Sequence, residues 1–163
     1  VNDLGEANTF VDLRGVTRCY GDGCHPGFDH EVAAVTVSWR DDAASAAFGL
    51  GGLEVPVEGA LSFRAVSATS SLNLLPAQAF DVVLVDGSGN EAVVSLAELP
   101  PVPHLYDARN VREILQSVRL PIATALAANP DLDPADLATL ELRFEPGTRG
   151  AIRIADVWWD AGF

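Results

Sequence analysis

Leu140-Glu-Leu-Arg-Phe144, followed by Glu-Pro146-Gly147-Thr-Arg and then Gly150-Ala-Ile-Arg-Ile-Ala-Asp-Val-Trp-Trp-Asp160, decides how this chain is read. Apolar and polar side chains alternate on both sides of a Pro-Gly turn. Period two is the repeat of a strand with one buried face, so the stretch predicts two neighbouring antiparallel strands. A chain that finishes in a paired strand finishes inside its own sheet.

The same pattern recurs upstream. Phe10 to Arg14 is a short strand-like run, and Val32 to Arg40 puts Ala33, Val35, Val37 and Trp39 on one face. Ala44 to Leu50 follows a hairpin-like break at Asp41-Asp42, and Leu61, Phe63 and Ala65 form another stripe. Phe80–Val85 and Ala92–Leu96 flank Asp86-Gly-Ser-Gly-Asn90, a loop rich in residues that tolerate positive φ and therefore a hairpin signal. Val118, Leu120 and Ile122 add one more strand. Helix signals are few: Asp133-Pro134 opens one short helical turn reaching Thr139, and Tyr106 to Leu115 reads as a second helix or a loop. The expectation is an all-β fold, a two-sheet antiparallel β-sandwich of jelly-roll type. In it the stripe ending at Trp39 and the stripe of Ile152 and Ile154 face each other across the core.

At 163 residues, 48% of them apolar, the chain forms one domain spanning 1–163 with a substantial core. No apolar run approaches the roughly 20 residues of a membrane-spanning helix. The chain starts at Val1 and contains no Met, which suggests a segment excised from a larger protein. Twenty-three acidic residues against ten basic ones give a net charge of −13, a field that disfavours nucleic acid and membrane surfaces as partners. Every basic residue is Arg, as a GC-rich coding bias would also produce.

Cys19 and Cys24 enclose Tyr-Gly-Asp-Gly. An even count at short spacing points to one disulfide shaping a surface loop in an extracellular protein; the alternative is two free thiols in the cytosol.

From Leu61 onward the succession of Leu61–Ala65, Phe80–Gly89, Ser117–Ile122, Leu140–Phe144 and Gly150–Trp158 resembles the galactose-binding-like jelly rolls, which include many carbohydrate-binding modules. The pattern is most similar to C-terminal accessory domains of secreted actinobacterial hydrolases, α/β-hydrolase-type esterases among them. The resemblance implies a non-catalytic module that binds polysaccharide or oligosaccharide, and a structural Ca²⁺. In related jelly rolls a carboxylate on the last strand joins oxygens near the N-terminus. Continuing the register of Ile152 and Ile154 turns Asp156 inward, where it needs backbone donors, an Arg or a cation; Glu6, Asp12 and Asp160 are candidate fellow ligands.

Sugar rings stack on flat aromatic faces. Alternation puts Trp39 and Trp158 on the apolar side and Trp159 outward with Arg153, which makes Trp159 the stacking candidate. Tyr20, Phe28 and Tyr106 lie in loops that could line a site. Arg64, Arg119, Arg143 and Arg153 sit at outward strand positions; on adjacent strands they would form a stripe gripping hydroxyls or carboxylates, or else pair with Asp81 and Glu141. The ligand-binding set is therefore Trp159, Tyr106, Tyr20, Arg119 and Arg153, and the metal set Asp156, Glu6 and Asp160. No G-x-S-x-G elbow or H-E-x-x-H is present, and His25, Asp29 and His30 lack a third spaced ligand. The sequence thus points to a secreted accessory module that binds carbohydrate. The rival readings are a structural domain packed on a neighbouring catalytic domain and a stand-alone hydrolase.

Overall fold

A computed structural model of the chain describes residues 11–14, 18–20, 35–40, 44–68, 80–99 and 116–160. Ten strands and one helix follow in the order β1 (Val11–Arg14), β2 (Arg18–Tyr20), β3 (Val35–Arg40), β4 (Ala44–Leu53), β5 (Ala60–Ser67), β6 (Asp81–Asp86), β7 (Glu91–Ser95), β8 (Gln116–Pro121), α1 (Ile122–Ala128), β9 (Leu137–Phe144) and β10 (Arg149–Asp160). They build two five-stranded antiparallel sheets. Sheet A runs β2-β3-β10-β5-β8 and sheet B runs β1-β4-β9-β6-β7. This is the expected jelly-roll sandwich.

The core lies between the layers. Sheet B contributes Phe48, Leu84, Leu140, Leu142 and Phe144, and sheet A contributes Trp39, Leu61, Phe63, Leu120 and Ile152, all essentially without solvent contact. Each alternates with an outward residue, as the period-two pattern requires.

Three expectations about pairing are corrected. The strands 140–144 and 150–160 are not partners: β9 pairs with β4 and β6 in sheet B, whereas β10 pairs with β3 and β5 in sheet A. The turn between them is real, with the Thr148 amide and hydroxyl both donating to the Glu145 carbonyl (3.2 and 2.6 Å) and Gly147 at φ 77°. It carries the chain from one sheet to the other. Alternation reports that a strand has one buried face and is silent about which strand lies beside it. For the same reason β3 and β4, expected to flank a hairpin-like break, belong to different sheets. The stripes of β3 and β10 do not oppose each other across the core. Val37 lies beside Ile152 and Val35 beside Ile154 in one ladder. The β6–β7 hairpin forms as expected.

The helix assignments also change. Residues 133–136 make a single capped turn, in which Asp133 Oδ1 accepts from the Ala135 amide at 2.9 Å, and β9 begins at Leu137. The burial of Leu137, Leu140 and Leu142 outweighs the N-cap signal. The α-helix occupies Ile122–Ala128, directly after β8. It buries Ile122 and Ala125 one turn apart and has no side-chain N-cap.

Candidate functional site

Asp156 is where the alternation of β10 breaks. Against β5, Ala155 lies opposite Arg64 and Val157 opposite Phe63, so the register slips by one residue between them. Such a bulge re-aims every side chain beyond it. Val157 therefore continues the core stripe of Ile152 and Ile154. Trp158 then falls on the outer face, half-buried, with the Arg64 guanidinium 6.0 Å from its ring centroid. Trp159 takes the inner parity at the end of the sheet and stays 39% exposed. The sequence reading had these two residues the other way round. The inward direction expected for Asp156 loses its basis as well; its side chain lies outside the described residues.

Outward positions of sheet A line up in rows. Trp158 on β10, Ser62 on β5 and Arg119 on β8 share one row, and Ala155, Arg64 and Ser117 the next. Arg153 follows, between Thr36 and Val66. The floor between the long side chains is small and buried: Ser38, Ser62, Val66, Ala151 and Ala155. Arg119 reaches across β5 to Asp160, with Nη2–Oδ1 at 2.8 Å and Nε–Oδ2 at 3.4 Å. Ser62 Oγ adds a 3.3 Å bond to Oδ2. The hydrogen bond that Arg119 donates to Asp160 holds the Arg119 pKa above its ordinary value. A guanidinium presented bidentately and an aromatic ring on one face can together hold hydroxyls, carboxylates and the C–H face of a sugar.

Of the four arginines expected in a stripe, Arg64, Arg119 and Arg153 share this face. Arg143 lies on the outer face of sheet B, where it pairs with Glu141 and Glu91, each at 3.1 Å. The pairing with Glu141 is the one anticipated from sequence. Tyr20 falls on β2 opposite Thr36, with its side chain outside the described residues, as are Phe28, Tyr106, Glu6, Cys24 and the side chain of Cys19. Among the described residues no group of three or more His, Cys, Asp or Glu is placed to hold a metal. Asp160 commits both carboxylate oxygens to Arg119.

The feature sequence reading missed is the anchorage of the β6–β7 hairpin. Asp86, 2% exposed, accepts from the amides of Ser88, Asn90 and Asp133, each at 2.9 Å, and from Asn90 Nδ2 at 2.8 Å. These donors, the Asn90 side chain foremost, lower its pKa to about 2. The Asp133 amide ties the turn at 133–136 to Asp86.

No family model matches this chain, and no curated protein sequence is similar to it. Solved structures are. A family 30 carbohydrate-binding module of a cellulosomal cellulase of Clostridium thermocellum superposes with a TM-score of 0.65 at 11% identity, over 94% of this chain and 83% of that one. A family 11 carbohydrate-binding module from Clostridium thermocellum, in complex with a β-1,3-1,4-mixed-linked tetrasaccharide, gives 0.64 at 11% identity over 99% and 94%. An agarase gives 0.57 at 8% identity, all of this chain matching 24% of that one. The chain has the β-sandwich fold of the family 11 and family 30 carbohydrate-binding modules.

Proposed function

We propose that this chain is a non-catalytic carbohydrate-binding module of a secreted hydrolase, with its site on the outer face of sheet A. The observation that carries the reading is the Trp158 ring, flanked by Arg64 and followed along β10 by Asp160 clasped to Arg119. Trp158 supplies the stacking surface and Trp159 a second one at the sheet end, while Arg119, Arg153 and Ser62 supply polar contacts. The likeness to modules of cellulosomal cellulases supports attachment to a catalytic domain and an extracellular setting. A structural Ca²⁺ belongs to the proposal only through Asp156 and Glu6, and thermal melting with and without chelator tests it.

Affinity gel electrophoresis against a panel of soluble polysaccharides tests the reading. At least one polysaccharide retards the protein, and Trp158→Ala abolishes that retardation while the melting temperature stays within a few degrees. Uniform migration through every gel would remove the basis of the proposal.

A further inference from the structure

The arginines are distributed unevenly over the two outer faces. Register places Arg18 on β2 opposite Ser38, Arg40 on β3 opposite Arg149, and Arg153, Arg64 and Arg119 in the rows described above. Of the five arginines whose side chains are described, Arg64, Arg119, Arg149 and Arg153 occupy outward positions of sheet A, where Asp160 is the one acid so placed among the described side chains. Outward positions of sheet B with described side chains carry Asp81, Glu91 and Glu141 against Arg143. A chain of net charge −13 has concentrated its cations on one sheet.

Arg40 and Arg149 occupy directly opposed positions of one ladder. From that pair the arginines descend diagonally through Arg153 and Arg64 to Arg119, a path of roughly 30 Å from the spacing of strands and residues. Arg64 and Arg149 are exposed along it, and Arg119 and Arg153 half-buried. A diagonal line of guanidinium groups with a Trp beside it matches an extended chain that repeats both a carboxylate and an apolar ring face.

We infer that the glycan held by sheet A is an acidic polysaccharide, its uronate carboxylates lying along the line from Arg149 to Arg119 and one sugar face lying on Trp158. The inference rests on the carbohydrate-binding reading and narrows it to a charged substrate class. The net negative charge opposes long-range approach of any polyanion, but it is screened beyond about 8 Å at physiological salt, so contact chemistry decides. Nucleic acid differs at contact: its line of charge is denser and it leaves no sugar face free to stack on Trp158.

Titration calorimetry with polygalacturonate, its methyl-esterified form, a neutral mixed-linkage β-glucan and single-stranded DNA tests this. Polygalacturonate binds; esterification, which removes the charge and little else, weakens it about tenfold, and added salt weakens it similarly. Arg149→Gln with Arg153→Gln costs about tenfold at unchanged melting temperature, and Arg149→Gln alone shows a smaller loss should the double variant fold poorly. Tighter binding to the neutral glucan, or no effect of esterification, overturns the inference and leaves the carbohydrate-binding reading standing. DNA binding as tight as polygalacturonate overturns it in favour of a general polyanion surface. Failure to bind any glycan overturns both.

Discussion

The indole of Trp39 on β3 and the ring of Phe144 on β9 stack with centroids 4.0 Å apart and planes 18° from parallel, joining the two sheets through the core. Phe80 adds a tilted contact to Phe144 at 5.6 Å. The same indole donates from Nε1 to Thr148 Oγ1 at 3.1 Å, in the corner where the chain passes from β9 to β10. Core stacking and the crossing between sheets therefore share one residue. Trp39→Ala is expected to destabilise by about 3–5 kcal/mol, and Thr148→Val, which removes the acceptor and the hydroxyl's own bond to the Glu145 carbonyl, by about 1–2 kcal/mol. Urea unfolding of the two variants measures both, and equal losses would contradict this division.

Asp86 gives the fold a pH signature. Its folded pKa of about 2 lies below the ordinary 3.8, so its contribution is complete above about pH 4 and is lost as pH falls toward 2. Asp86→Asn keeps the shape, loses the charge and weakens the bonds from the three amides. The difference in stability between the natural protein and this variant should be constant above pH 5 and shrink below pH 4. Thermal melts at matched ionic strength read it, and a difference independent of pH would count against the assignment.

Ser67 lies on the inner side of β5, opposite Ile152, and its buried Oγ has no hydrogen-bond partner among the described residues. A buried hydroxyl without a partner costs free energy. Ser67→Ala is expected to stabilise by about 1 kcal/mol, a rise of a few degrees in melting temperature for a domain this size.

Gly59 sits against the site from behind. A Cβ there would come within 2.6 Å of the Asp160 carbonyl oxygen and 2.9 Å of that of Pro56, both backbone atoms with little room to move. Gly59→Ala should destabilise by about 1–3 kcal/mol and, by shifting Asp160, loosen its clasp on Arg119. Loss of stability with glycan affinity unchanged would show that the site is independent of this backbone contact.

Asp160→Asn separates the two roles of the clasp. It withdraws the carboxylate that occupies Arg119, so affinity for an acidic glycan should rise about two- to threefold. Affinity for a neutral one should not rise. Unchanged affinity for both would place Arg119 outside the binding surface.

Much of the architecture was legible from residues alone. Alternation located most of the strands within a few residues, and Asp86-Gly-Ser-Gly-Asn90 announced its hairpin, because both signals are local. Which strands neighbour one another is not local: Leu140–Phe144 and Ile152–Ile154 carry the same pattern whether they share a sheet or face each other from two. The α1 helix was missed because Ile122-Ala-Thr-Ala-Leu-Ala-Ala128 has neither a cap nor a full amphipathic repeat, and its first residue continues the stripe of β8. Arg119 and Arg153 were correctly placed outward. The exchange of Trp158 and Trp159 followed from one extra residue at Asp156, which composition and periodicity do not register.

That extra residue means the outward aromatic is set by pairing with β5 and not by counting along β10. Excising Asp156 would leave Ala155 opposite Arg64 and Val157 opposite Phe63 as consecutive pairs of a regular ladder, so Trp158 would stay on the guanidinium-bearing side and Trp159 on the other. A lineage can therefore gain or lose a codon at this point and keep the same aromatic on offer, because the slack is taken up outside the ladder.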